Sequence, residues 1–549
     1  MNNRKLKLFI VLGVFLVVML LGIYSLGDIK YSTKEGLSYD EKKVDANYLI
    51  DFIEKTYPYL YEVKADNGQD FMKEKSKIVN SISKTSSDKE FYDAIYLQLQ
   101  RLTYGRADIN VSTDQYDIPY TYLYENPEAS KKTNLKKPNE IKSKWEAIQK
   151  EHRGNLFKQR YTCNIAASYI NGSYYITMSQ NPEVHVGDEV ISINGISVDE
   201  YGKTIPFNEK YDKYDRVYDY DYEKYIVPSP FEVRSNLPKE IVIKNSVGKE
   251  KKTEVLLFDS KKPILENGFK SFEANFVIDT ENNVQGKFLN TSEENKIIAL
   301  DFSAINQDNQ YVNSPEGIDK LLSKINESDY LILDLRRAYD AHLLMKILSF
   351  VLPSDINYYD YKIIEKNEIN NAYINHFKGI NRPSIAEVTS SIASLEKLYP
   401  LSKYHVFQDN RVDIKGMNKY KGKVFILYDK FFNSDIVNEI LKPVIDQDLC
   451  TVISNGKFTL MDYYDSDFAI STVLPNSNLI ATIQNSKVVD ISGTLVSKIV
   501  ITPQVIVKDD ISKIIDNLKN GDGHVLKVSV EDKYTTKDEY YNEVLKLIK

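Results

Sequence analysis

The chain has 549 residues, of which 42% are hydrophobic and 27% charged, enough apolar material for more than one packed unit and too much for general disorder. Its net charge of −7 and pI near 5.7 lack the basic footprint that nucleic-acid binding needs. Cys163 and Cys450 are its only cysteines and its six histidines form no HExxH or HxxxH pattern, so a disulfide framework is excluded and no metal or cofactor is implied. The two thiols are expected to be buried and free, with one long-range disulfide as the alternative.

Arg4, Lys5 and Lys7 precede an uncharged run, 8–27, whose 20 residues can cross a bilayer as a helix. The positive flank should stay cytoplasmic, which exports the rest of the chain. A cleaved signal peptide is the rival reading, but the run is long for one and no A-x-A-like site follows. The expectation is a single-pass anchor in the cell membrane, residues 1–30, with an extracytoplasmic bulk.

A helical module and linker should occupy 31–159. Val44, Tyr48, Leu49, Phe52 and Ile53 share one helical face, Pro58 should end that helix, and a second helix is expected near 71–82. A third should start at the capping box running from Ser87 to Glu90.

From 160 to 285 the pattern changes to short alternating strands. Gly187-Asp188 reads as a turn, Glu189–Ile193 as a strand and Asn194-Gly195 as a hairpin turn. With Val198, this string resembles the GDxIxxINGxxV element of PDZ domains, which bind extended peptides by adding a strand to a sheet edge. The candidate peptide-binding residues are Gly187, Asp188, Ile191 and Ile193. The alternative is a plain hairpin in another β module. The Tyr/Asp-rich stretch 211–225 lacks EF-hand spacing and reads as a solvated insertion.

From 286 to 549 strand and helix alternate. Strands are expected at 296–302, 330–335, 423–428, 450–453 and 479–483, and helices at 315–325, 341–352 and 434–446. Continuous apolar strands between helices imply a mainly parallel sheet covered on both faces. The fold class is therefore multidomain α/β: an anchor, a helical module, a PDZ-like β module and an α/β core.

That order resembles the C-terminal-processing (tail-specific) serine peptidase family. Leu102-Thr103-Tyr104-Gly105-Arg106-Ala107-Asp108 sits where the family has LxDxHT. Leu331-Ile332-Leu333-Asp334-Leu335-Arg336 matches its LIIDLR strand. The strand 424–428, followed by Asp429 and then Ser434, is similar to the element that presents the nucleophile. Leu474-Pro475-Asn476-Ser477 is similar to a later LPNS turn. The resemblance implies Ser434 as nucleophile, at a strand-to-helix turn where N–H groups favour negative charge. It is equally an ordinary N-cap position. Lys457, 23 residues on, falls where the family places its lysine base, a role that requires a buried lysine with a depressed pKa; a solvent-facing turn lysine is the alternative.

The chemistry-bearing parts depart from the family. Its glycine-rich turn after DLR is replaced by Arg337, Ala338, Tyr339, Asp340 and Ala341, and loss of one oxyanion donor costs roughly 10²–10³ in rate. The DxHT histidine is replaced, at Arg106-Ala107, and Asp435 stands beside Ser434. The expected function is weak or lost proteolysis with retained binding of peptide or protein segments, C-terminal ends among them. The alternatives are an active Ser434/Lys457 endopeptidase and an unrelated surface-anchored binding protein.

Overall fold

A computed structural model describes residues 36–68, 70–102, 104–105, 107–110, 144–152, 161–204, 217–227, 230–231, 239–259, 286–292, 295–302, 315–336, 341–377, 385–430, 434–460, 468–508, 510–519, 534 and 538–549. The run 8–27 lies outside these residues. Among the described residues no helix is long and apolar enough to cross a membrane.

The core sheet is laid down as the apolar runs require. Its strand order is Gly286–Ser292, Asn295–Asp301, Tyr330–Asp334, Lys423–Tyr428, Thr451–Ser454 and Val505–Ile506. The first pair is antiparallel and the others are parallel. Side chains alternate between two buried faces. Leu331, Leu333, Ile426 and Val452 pack with helices Ala341–Val351 and Asp435–Asp446, while Ile332, Phe425, Leu427 and Ile453 pack with Tyr540, Tyr541 and Val544 of helix Glu539–Ile548. Burial on both faces is why these strands read as unbroken apolar runs.

The strand expected at 479–483 exists, as Ile480–Gln484, but not in the parallel sheet. It is the middle strand of an antiparallel three, between Ala107–Asn110 and Ala469–Val473. Helices Tyr39–Thr56, Lys75–Ser83 and Asp88–Gln100 cover it, and one core joins their Leu49, Ile53, Ile82 and Ile95 to Ile470, Ile480 and Ile483. The exposed Val44 does not belong to that face; the buried Asp45 does. Asp45 accepts from the backbone N–H groups of Asn476 and Ser477, both at 2.8 Å, and Trp145 Nε1 donates to Ser477 O at 2.8 Å. Burial pushes the Asp45 carboxyl up, against the pull of these donors. The LPNS turn therefore clasps the helical module to the core.

Ser87 caps its helix by accepting from Glu90 N, but Glu90 returns to Ser86 rather than to Ser87. The reciprocal capping box stands one helix earlier, between Ser38 and Glu41.

A four-stranded antiparallel sheet, Ile385–Glu387, Tyr404–Ile414, Ile356–Glu365 and Lys487–Val489, stands apart from the parallel one. Its buried positions include Asp360 and Lys362, so charges interrupt the apolar signal.

The 160–285 region forms a separate sheet ordered Glu250–Glu254, Glu240–Lys244, Glu189–Ile193, Ser173–Ser179 and Ile165–Ile170, with Ile196–Ser197 beside Glu189–Ile193. Asn194 at φ 52° and Gly195 at φ 77° make the turn that the Asn-Gly pair predicts.

Candidate active site

Open parallel sheets place their sites beyond the carboxyl ends of the strands. Here those ends are Asp334–Arg336, Tyr428–Lys430 and Ser454–Lys457. Asn455 ties the second to the third: its Oδ1 accepts from Lys430 N at 2.8 Å and its Nδ2 donates to Asp429 Oδ1 at 3.2 Å.

Ser434 is the N-cap of helix Asp435–Asp446, with φ −127° and ψ 105°, and its side chain makes no capping hydrogen bond. Its backbone N–H is engaged by the hydroxyl of Tyr428, which in turn donates to Asn438 Oδ1. Asn438 Nδ2 continues the chain to Thr459 O at 2.9 Å. Burial pushes the Tyr428 hydroxyl far up, so it serves as a neutral donor. Among the described residues, nothing hydrogen-bonds to the Ser434 hydroxyl. Arg337, Ala338, Tyr339 and Asp340 of the altered glycine turn lie outside the described residues.

Lys457 is half-buried, and its backbone N–H donates to both carboxylate oxygens of Asp221, at 3.3 and 3.2 Å. A buried lysine beside it carries no sequence signal. Lys430, 8% exposed, holds Asp219 at 3.1 Å and Asp221 at 2.7 Å. Both acids come from the hairpin of Val217–Asp219 and Lys224–Ile226, within the stretch read as a solvated insertion. That reading is corrected: the hairpin is docked on the strand ends, and Asp219 is buried because its charge is paired. Gly456 makes the docking possible, since a Cβ there would meet Asp221 Oδ2 at 2.0 Å and Lys430 Cδ at 2.7 Å. No local pattern distinguishes Asp219, Asp221 or Lys430; only the abundance of aspartate in the stretch was a signal.

The other candidates have structural surroundings. Gly187 lies under Ile515, which a Cβ would meet at 2.8 Å, Asp188 accepts from His185 N at 2.8 Å, and Ile193 is fully buried. Ile191 is partly exposed, yet its strand is paired on both sides, so Glu189–Ile193 offers no edge for strand addition. The end strands of that sheet are Glu250–Glu254 and Ile165–Ile170. In the segment set against LxDxHT, Tyr104 stacks on Tyr59 at 5.1 Å and Ala107 opens a strand facing Ile483; Arg106 lies outside the described residues. Among the described residues no group of three or more His, Cys, Asp or Glu could hold a metal ion. Cys163 and Cys450 are both buried and outside any disulfide, and Cys163 Sγ donates to Phe231 O at 3.2 Å.

Solved structures to which the chain is similar include mature CPAF complexed with lactacystin, at TM-score 0.45 and 10% identity over 93% of this chain and 98% of that one. The photosystem II D1 C-terminal processing protease is similar at TM-score 0.32 and 10% identity, over 87% of this chain and 97% of that one. No protein-family model and no curated protein matches the chain.

Proposed function

We propose that the protein is a membrane-anchored, extracytoplasmic homologue of the tail-specific serine peptidases that binds peptide or protein segments and has weak or no proteolytic activity. The observation that carries this reading is the engagement of the candidate site. Asp219 and Asp221 are seated on Lys430 and on the Lys457 backbone, while no base is bonded to Ser434 among the described residues. A serine nucleophile needs a base within hydrogen-bond reach and donors aimed at the oxyanion. The Arg337-to-Ala341 replacement of the glycine turn removes the backbone freedom those donors need. One observation favours an active Ser434/Lys457 endopeptidase: the Ser434 hydroxyl is not spent as a helix cap.

Peptide hydrolysis by the purified full-length protein is expected at background and unchanged in Ser434→Ala; turnover abolished by that substitution would favour the active enzyme. The anchor reading rests on the basic flank and the run 8–27. Protease added to intact, wall-stripped cells should digest the bulk of the chain, and complete protection of a chain that the same protease digests after lysis would refute the orientation.

A further inference from the structure

Two buried acids behind the Ser434 helix each have an oxygen that nothing satisfies. Tyr358 and Asp360 stand on strand Ile356–Glu365, and Glu439 stands on helix Asp435–Asp446; all three are buried. Arg411, on strand Tyr404–Ile414, reaches both acids through one atom. Its Nε is 3.1 Å from Glu439 Oε1 and 3.8 Å from an Asp360 oxygen, Oδ2. Lys362 Nζ takes that same Oδ2 at 3.1 Å. The cations thus approach one oxygen of each acid. The other oxygens, Asp360 Oδ1 and Glu439 Oε2, are buried without a hydrogen-bond partner, and so is the Tyr358 hydroxyl.

A buried carboxylate oxygen without a donor is costly. Two carboxylates flanking one guanidinium nitrogen also repel each other, and the usual resolution is that one keeps its proton. A proton converts an unpartnered acceptor into a donor. We propose that Asp360 and Glu439 form a buried proton-binding site, with the proton on Glu439 Oε2, and that this proton seats helix Asp435–Asp446, and with it Ser434, against the antiparallel sheet.

The surroundings add further charge. Asp409 faces Lys362 at 3.8 Å and Arg411 at 3.6 Å, Asp435 lies on the same helix as Glu439, and Asp490 faces Tyr358. Burial, opposed by Arg411 and reinforced by Asp360, pushes the Glu439 carboxyl up to about 7. Burial raises Asp360 as well, so the shared proton belongs to the pair. A glutamate raised in the folded state stabilises fully below its unfolded value, about 4.3, and loses that contribution as pH rises through its folded value.

The test is urea unfolding of the full-length protein between about pH 5 and pH 9, with Glu439→Gln and Asp360→Asn alongside wild type. Wild type should lose unfolding midpoint as pH rises through neutrality. Glu439→Gln, which carries a permanent N–H donor, should match wild type at the acid end and show a flatter profile. A Glu439→Gln profile parallel to wild type overturns the proposal. Infrared spectroscopy of wild type keeps the test decisive if the variants fail to fold. A protonated-carboxyl band should persist at about pH 6.5, where ordinary carboxyls are ionised, be lost by about pH 9 and be shifted by hydrogen–deuterium exchange; its absence at about pH 6.5 equally overturns the proposal.

Discussion

Replacing Arg336 by methionine is expected to destabilise the full-length protein by about 3–5 kcal/mol, the usual cost of leaving a buried partner charge uncompensated. Arg336 closes a two-sided clamp. Its Nε and Nη2 bond to the two oxygens of Asp334 at 2.9 and 2.7 Å, and its Nη1 and Nη2 bond to those of Asp538, both at 3.1 Å. Asp334 and Asp538 are almost wholly buried. Tyr534 donates to Asp334 at 2.9 Å, Asp538 caps helix Glu539–Ile548, and the guanidinium lies 4.8 Å from the centre of the Tyr540 ring. Arg336 therefore pins the C-terminal helix to the end of the central strand. Arg336→Lys should recover little, because an ammonium cannot bond two carboxylates in bidentate fashion. Urea unfolding reads the loss of stability, and limited proteolysis should show early cleavage near residue 538. An unchanged midpoint would remove the clamp from the account.

Replacing Lys430 by alanine should cost a similar amount, about 3–5 kcal/mol, because Asp219 would remain buried without its cation. The loss should concentrate in the hairpin. Protease sensitivity between residues 217 and 226 should rise before global unfolding, since Asp221 keeps only its bonds to the Lys457 backbone among those to the strand ends. The double variant Lys430→Met/Asp219→Leu should recover much of the midpoint, since an apolar pair of similar volume often replaces a buried ion pair without loss. A single Lys430→Ala variant as stable as wild type, with an equally resistant hairpin, would mean that the pair does not hold the hairpin.

The parallel strands were legible because each is buried on both faces and reads as an apolar run: Lys423–Tyr428 falls where the sequence places it. Helix Asp435–Asp446 was legible from its apolar period and the turn before it. Strand type did not reveal sheet membership. Ile480–Gln484 is as buried as a central parallel strand because helices cover it, yet it pairs antiparallel. Strand Ile356–Glu365 carries no unbroken apolar run because the ion-paired Asp360 and Lys362 stand on buried positions. Nothing local to Lys430 indicates an acid 211 residues earlier in the chain. Ser434 and Lys457 are found from the resemblance, whereas Asp219 and Asp221, seated on Lys430 and the Lys457 backbone, read in sequence like ordinary solvated charges.

The most direct measurement is labelling of the purified full-length protein with a fluorophosphonate probe, with Ser434→Ala as control. An activated serine needs a bonded base and donors aimed at the oxyanion; no base is bonded to Ser434 among the described residues, so on the proposed reading wild type and Ser434→Ala should both label at background. Stoichiometric labelling of wild type, lost in Ser434→Ala, would contradict the account and establish Ser434 as a working nucleophile.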